Sequence, residues 1–239
     1  MKRIFVPTSS GSDWQRLLAK PNLHWKRGAS AMTAAACWED AEGSLPAEIA
    51  ALLESSGEKP LLGQRLLVAM PEWEVPLEGG ETGSHTDVLA ICRSESGLCI
   101  IAVEAKVHED FGPLLGQKRE NASSGQLKRL ETLHKLLGVE HFEDNVRYQL
   151  LHRTASALLI ARDFHALAAV MLVHAFQAPA TSRKDFETFA GAMNARPVSP
   201  GLHSAARSEK PALYLAWCEG NPRFLQVDLP PLGANISPH

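Results

Sequence analysis

The chain has 239 residues, 45% hydrophobic and 21% charged, with 27 acidic against 24 basic side chains. This length supports a sizeable core without a linker-like run, so 1–239 reads as a single domain, and the small acidic surplus argues against tight nonspecific grip on duplex DNA, although a local cleft can still be basic. Cys37, Cys92, Cys99 and Cys218 show no Cys-x-x-Cys spacing and read as free thiols; with no signal-peptide core before Pro7 and no membrane-length apolar stretch, the expectation is a cytoplasmic protein without a membrane partner.

In chain order, 4–6 reads as a short edge strand, and Ser12 or Asp13 caps a short helix through Leu18 that Pro21 stops. His24-Trp25-Lys26-Arg27-Gly28 is a basic turn with an aromatic. It suits a phosphate or base-stacking contact, or a Trp packed on the domain with its Lys and Arg in solvent. Ser30 opens an Ala-rich helix to Asp40. A second helix starts at Pro46 and gathers Ile49, Leu52 and Leu53 on one face. Residues 61–77 read as extended in two pieces, 64–69 and 72–76, with Pro71 and Pro76 keeping them at an edge. The Gly-rich loop 78–83 carries Glu81 and leads to His85.

The next stretch, SHTDVLAICRSESGLCIIAVEAKVHEDFG, reads as strands 86–93 and 98–107 joined by the turn 94–97. A tight turn sets Cys92 across from Cys99, Leu89 across from Ala102 and Asp87 across from Glu104. Alternation puts Glu104 and Lys106 on the face that also carries Ile100 and Ala102. Opposed carboxylates with Cβ atoms about 5 Å apart repel unless a cation intervenes, and a divalent ion such as Mg²⁺ takes such oxygens.

Downstream, the polar stretch 117–124 reads as a mobile loop from which Lys118 and Arg119 either reach phosphates or sit in solvent. A helix capped by Ser123 or Ser124 places Leu127, Leu130, Leu133 and Leu137 on one face and ends at Gly138. Another runs from 144 or 145 to about 162, and the polar side chains of its first half are Arg147, Tyr148, Gln149, His152 and Arg153. These suit a substrate-gripping wall, or else an internal polar network or an interface. Residues 167–176 show no alternation, the mark of a strand buried on both faces, with His174 a core or rim histidine. A helix capped at Ser182 packs Phe186, Phe189 and Met193; strands at 213–218 and 224–227 follow, and the tail from Pro230 is Pro-rich.

An aspartate, a hairpin, then Glu-x-Lys on an apolar strand resembles the PD-(D/E)xK nucleases, the restriction-endonuclease-like superfamily, with Thr86 where the motif's name puts proline. The resemblance implies an α/β fold with an αβββαβ core over about 45–176, a mixed central sheet flanked by helices. Residues 1–44 would be a helical N-terminal extension and 177–239 a C-terminal helix and strands. It implies Asp87, Glu104 and Lys106 as catalytic residues, with Asp87, Glu104 and the Ala105 carbonyl holding Mg²⁺ or Mn²⁺. It makes Gln126, Arg147, Tyr148, His152 and Arg153 candidate substrate contacts, Glu48 a candidate acid from the preceding helix, and nucleic acid the partner, DNA ahead of RNA. A homodimer is compatible with it. The other outcome is a scaffold of the same fold without catalysis, an interaction module. The phrases HWKRGAS, VEAKVHEDFG and RYQLLHRTASAL also resemble a bacterial family of similar length, a likeness that implies no activity.

Overall fold

The structure is a computed structural model and describes residues 10–79, 82–120, 122–207 and 209–230. The expected strand at 4–6, Glu81 and the tail after Pro230 lie outside the described residues. The described chain opens with a 3-10 turn, Gly11–Leu17, at whose head the Ser10 N–H donates to Asp13 Oδ2 at 3.2 Å. A single helical turn, α1 (Pro21–His24), leads to α2 (Ser30–Asp40) and α3 (Ala47–Glu54). Pro46 stands at the N-cap of α3, one position before the helical start that its fixed φ favours.

Strand β1 (Arg65–Val75) is one strand rather than two pieces. It lies at the edge of the sheet, where Pro71 leaves no ladder partner without a donor. A bulge between Leu66 and Val68 and a left-handed Glu72 (φ 49°) absorb the irregularity that the sequence shows as a break. The hairpin is β2 (Ser84–Ser94) and β3 (Gly97–Lys106). Cys92 faces Cys99 and Leu89 faces Ala102, the register the tight turn predicts, and all four cysteines are buried and free.

Then come α4 (Leu115–Glu120), α5 (Ser124–Leu137), α6 (Tyr148–Asp163), β4 (Ala168–Ala175), α7 (Ala180–Ala192), the short hairpin β5 (Arg196–Ser199) and β6 (Leu202–Ser204), β7 (Ala212–Glu219), and a 3-10 turn Pro222–Gln226. The sheet order is β1-β2-β3-β4-β7-β6-β5. The outer pairs are antiparallel, while β3–β4 and β4–β7 are parallel. The result is a mixed seven-stranded sheet between two layers. The front layer, α5, α6 and α7, covers Leu89, Ile100, Ala102, Val173 and Trp217; the rear layer, α2 and α3, covers Val88, Ala90, Ile101, Val170 and Ala216. Strand β4 is buried along its whole length between them, as its unbroken apolar run predicts.

Three expectations need correcting. Residues 117–120 of the expected loop belong to helix α4, which starts at Leu115, where the Leu115 and Gly116 N–H groups are tied to the Val146 and Asp144 carbonyls at 2.8 and 3.0 Å. Residues 224–227 belong to a 3-10 turn that buries Phe224 and Leu225 rather than to a strand; β5 and β6 extend the sheet instead, in segments too short to show alternation. Helix α6 begins at Tyr148, since Arg147 is engaged in a bridge to Leu114. Among the described residues no helix is long and apolar enough to cross a membrane.

Candidate functional site

The ladder of paired residues between β2 and β3 ends at Val88 and Val103. One step further the Ala105 N–H donates to Asp87 Oδ2 at 2.7 Å, so the aspartate side chain continues the ladder where the backbone stops. Glu72, between the pairs Pro71–Val88 and Trp73–Thr86, is level with Asp87 on the other side. Three strands therefore bring Glu72, Asp87 and Glu104 into one row at the end of the sheet. A left-handed backbone in mid-strand costs a non-glycine residue about 1 kcal/mol or more, and Glu72 is the residue that adopts it.

Helix α6 supplies what holds the row together. Glu104 and Lys106 are each only 3% exposed. Glu104 Oε2 accepts from Arg153 Nε. Its Oε1 accepts from Lys106 Nζ at 2.9 Å and from Gln149 Nε2 at 2.7 Å. The Gln149 amide closes the triangle, its Oε1 accepting from Lys106 Nζ at 3.1 Å. Gln149 and Arg153 are four apart and so share one helix face. The lysine also lies over the Phe111 ring, 4.9 Å from its centroid.

The electrostatics sort the three acids. Burial works against the charge of Glu104, but the Arg153 and Lys106 cations outweigh it and hold the carboxyl down at about 2. Asp87 is pushed up to about 7 by burial and by the Glu104 charge. Glu72 is pushed up to about 8 by burial and then by Asp87. Near neutrality the Asp87–Glu72 pair thus retains a proton that a cation could replace. All the donors here are oxygens, the set that hard divalent ions take. The Ala105 carbonyl leaves β3 on the same edge as the N–H that reaches Asp87.

Asp87, Glu104, Lys106, Gln149 and Arg153 line one cavity of about 890 Å³. Its opposite wall is the basic turn, with His24, Lys26, Arg27 and Gly28, and the first residue of α2, Ser30. Lys26 and Arg27 are exposed, whereas Trp25 is buried in the rear core, so this turn offers charge and a helix N-terminus rather than a stacking ring. The exposed Lys26 and Arg27 give this wall a positive charge that the overall charge of the chain conceals.

The remaining sequence candidates divide. Arg153 reaches the site, but as the partner of Glu104 and, through Nη1, of Ser84 Oγ at 2.9 Å. His152 turns away; its Nδ1 meets Ser84 Oγ at 2.8 Å. Because Ser84 already accepts from Arg153, its hydroxyl proton is free to go to His152, which burial and the Arg153 charge hold neutral, down to about 3. His152, Tyr148 and Gln126 line a separate cavity of about 630 Å³. Gln126 closes a capping box with Ser123 at the head of α5. Arg147 binds Asp185 and the Gly112 carbonyl at 2.7 and 2.6 Å and lines neither cavity. Glu48 sits on the rear face against His174, and Arg119 is tied to Asp144.

Gln149, one of the polar residues of the first half of α6, reaches the site together with Arg153, four residues on. Glu72 escaped sequence reasoning, since its place depends on the register of β1 against β2.

The model of the family described as Domain of unknown function (DUF6946) matches residues 7–222. The chain belongs to that family. The match spans the basic turn, the hairpin, helix α6 and β7 alike, so it contains every residue of the carboxylate cavity. No curated protein and no solved structure matches the chain.

Proposed function

We propose that the chain is a metal-dependent phosphodiesterase acting on nucleic acid, built on a restriction-endonuclease-like core. The observation that carries this reading is the convergence of Asp87, Glu104 and Lys106 on one cavity whose far wall is basic. The order α3, β1, β2, β3, α6, β4 supports it, being compatible with an αβββαβ core. Asp87, Glu104 and the Ala105 carbonyl, with Glu72 beside them, would hold Mg²⁺ or Mn²⁺. A bound ion there acidifies a water and polarises a phosphate oxygen.

The chain's own groups supply the rest. Lys106, pinned by Gln149 and Glu104, presents an ammonium to charge that builds on the phosphate, where a fixed donor is worth about 10²–10³ in rate. Arg153 keeps Glu104 ionised at any physiological pH. Lys26 and Arg27 take flanking phosphates from the rim, as point charge and as fork.

Cleavage of labelled DNA and RNA with Mg²⁺ or Mn²⁺ tests the reading. Wild type should cut, and Asp87→Asn and Lys106→Met should each lose about 100-fold or more. Equal activity in all three proteins would defeat the assignment. One observation favours a second reading, a non-catalytic interaction module: both oxygens of Glu104 are already held by protein donors. Under that reading Mg²⁺ does not bind at millimolar concentration and nucleic acid is retained uncut.

A further inference from the structure

Behind the sheet, in the same register, a second polar cluster is built from different atoms. Ala105 on β3 pairs with His174 on β4, which pairs with Cys218 on β7. His174 is fully buried on the rear face, and helices α2 and α3 bring Cys37 and Glu48 against it. Glu48 Oε1 lies 3.1 Å from His174 Nε2 and 3.6 Å from Cys37 Sγ, and also accepts the Asn221 N–H at 3.3 Å. The three side-chain ligand atoms all fall within 4.8 Å of one another.

We propose that Cys37, Glu48 and His174 form a site for a borderline divalent transition metal, with Zn²⁺ the best fit. Thiolate, carboxylate and imidazole are the donor set zinc takes, whereas Mg²⁺ avoids sulfur and nitrogen. Tetrahedral bonds of about 2.1 Å to N and O and about 2.3 Å to S separate N from O by about 3.4 Å and S from O by about 3.6 Å. The observed 3.1 and 3.6 Å need little adjustment to reach that geometry.

Charge supplies an independent reason. Glu104 on the front face is matched by Arg153 and Lys106. For Glu48 the ion-pair partner among the described residues is His174, itself charged only when protonated. Three donors converge on one oxygen of Glu48 with no Lys or Arg among them, and a dication at their centre corrects that shortage. As the metal–sulfur bond forms, the Cys37 thiol proton leaves to solvent, and the Nε2 proton of a neutral His174 shifts to its unpartnered Nδ1, so each bound ion releases one proton.

Access and occupancy follow from the surroundings. Glu48 and Cys218 line a cavity of about 490 Å³, which gives an ion an approach from the Glu48 side, while Cys37 and His174 are buried behind it. His174 Nδ1 has no hydrogen-bond partner, so the outer brace that tightens most zinc-bound imidazoles is missing. The ion is therefore exchangeable, weaker than one in a closed four-ligand structural site.

Metal-stripped full-length protein titrated with Co²⁺ tests this. Wild type and Glu104→Gln should both develop a thiolate-to-cobalt charge-transfer band, with one proton released per ion in weakly buffered solution. Added Zn²⁺ should bleach the band. Cys37→Ser should lose it, and His174→Gln should bind at least about tenfold more weakly. A wild type without the band up to millimolar Co²⁺ would overturn the site, and so would an undiminished band in Cys37→Ser. The wild-type readouts need no variant to fold, and Glu104→Gln separates this site from the carboxylate cavity.

Discussion

At the ends of β3 and β4 the sheet carries polar side chains on both faces, one residue out of phase. Glu104 and Lys106 look forward under α6; Ala105 and His174 look back under α2 and α3. The front cluster contains its own cations and faces a cavity of about 890 Å³. The rear cluster has a single carboxylate among groups that can all be neutral, and its thiol and imidazole are enclosed. Alternation along two strands thus separates a set of hard oxygen donors from a set of softer ones by little more than the thickness of the sheet. The lesson is that motif residues alone do not say how many sites a strand end serves; the neighbours at odd and even positions do.

The comparison can be broken most forcefully through its counter-charges. Arg153→Met strands a buried Glu104 with Lys106 alone and should destabilise the fold by about 3–5 kcal/mol in urea denaturation, while the double variant Arg153→Met/Glu104→Gln should recover much of that loss. On the rear face Glu48→Gln removes a charge that no Lys or Arg balances and should cost no more than about 1–2 kcal/mol by the same measurement. Equal losses on the two faces would show that the clusters are not built on different terms.

A smaller effect sharpens the front site through pH. Asp87 and Glu72 are raised in the fold, to about 7 and about 8, so the fold favours their protonated forms. Their contribution to stability is complete below the unfolded carboxylate range near pH 4, and is lost as pH rises through about 7 to 8. Glu104 has the opposite sign, its contribution present above that range and lost only as pH falls through about 2. Thermal melts of the metal-free protein should therefore decline from pH 6 to pH 8.5, and Mg²⁺ should restore more at pH 8.5 than at pH 6. A decline that is smaller in Asp87→Asn than in wild type would assign the effect, the remainder belonging to Glu72, which burial still raises.

The smallest expected change concerns one of the residues that the sequence placed in the site and the structure does not. Gln126→Ala opens the capping box of α5 and should cost about 1 kcal/mol in chemical denaturation, with nucleic-acid cleavage unaltered. A loss of cleavage at unchanged stability would return Gln126 to the functional surface.

The hairpin was legible because three signals agreed there. Turn residues, alternation and an apolar run fixed both strands and their register, which the pairs Cys92–Cys99 and Leu89–Ala102 follow. Buried β4 and the capped helix α5 were legible for similar reasons. Glu72 was not, because a bulge and a left-handed residue intervene between the sequence pattern of β1 and its pairing. The polar half of α6 showed which residues needed partners, but only tertiary packing decided between them: Arg153 and Gln149 turned to Glu104, His152 to Ser84, Arg147 to Asp185. The rear cluster joins Glu48 to His174, 126 residues further along the chain, a distance across which no local pattern speaks.

Calorimetric titration of the metal-free protein with Mg²⁺ at pH 8.5 tests the central claim most directly, because this ion discriminates against the sulfur and nitrogen of the rear face. One binding event is expected in wild type and in Cys37→Ser, and none in Asp87→Asn. Absence of binding at millimolar Mg²⁺ in wild type, or binding that Asp87→Asn leaves intact, would contradict a cation site at the end of the hairpin.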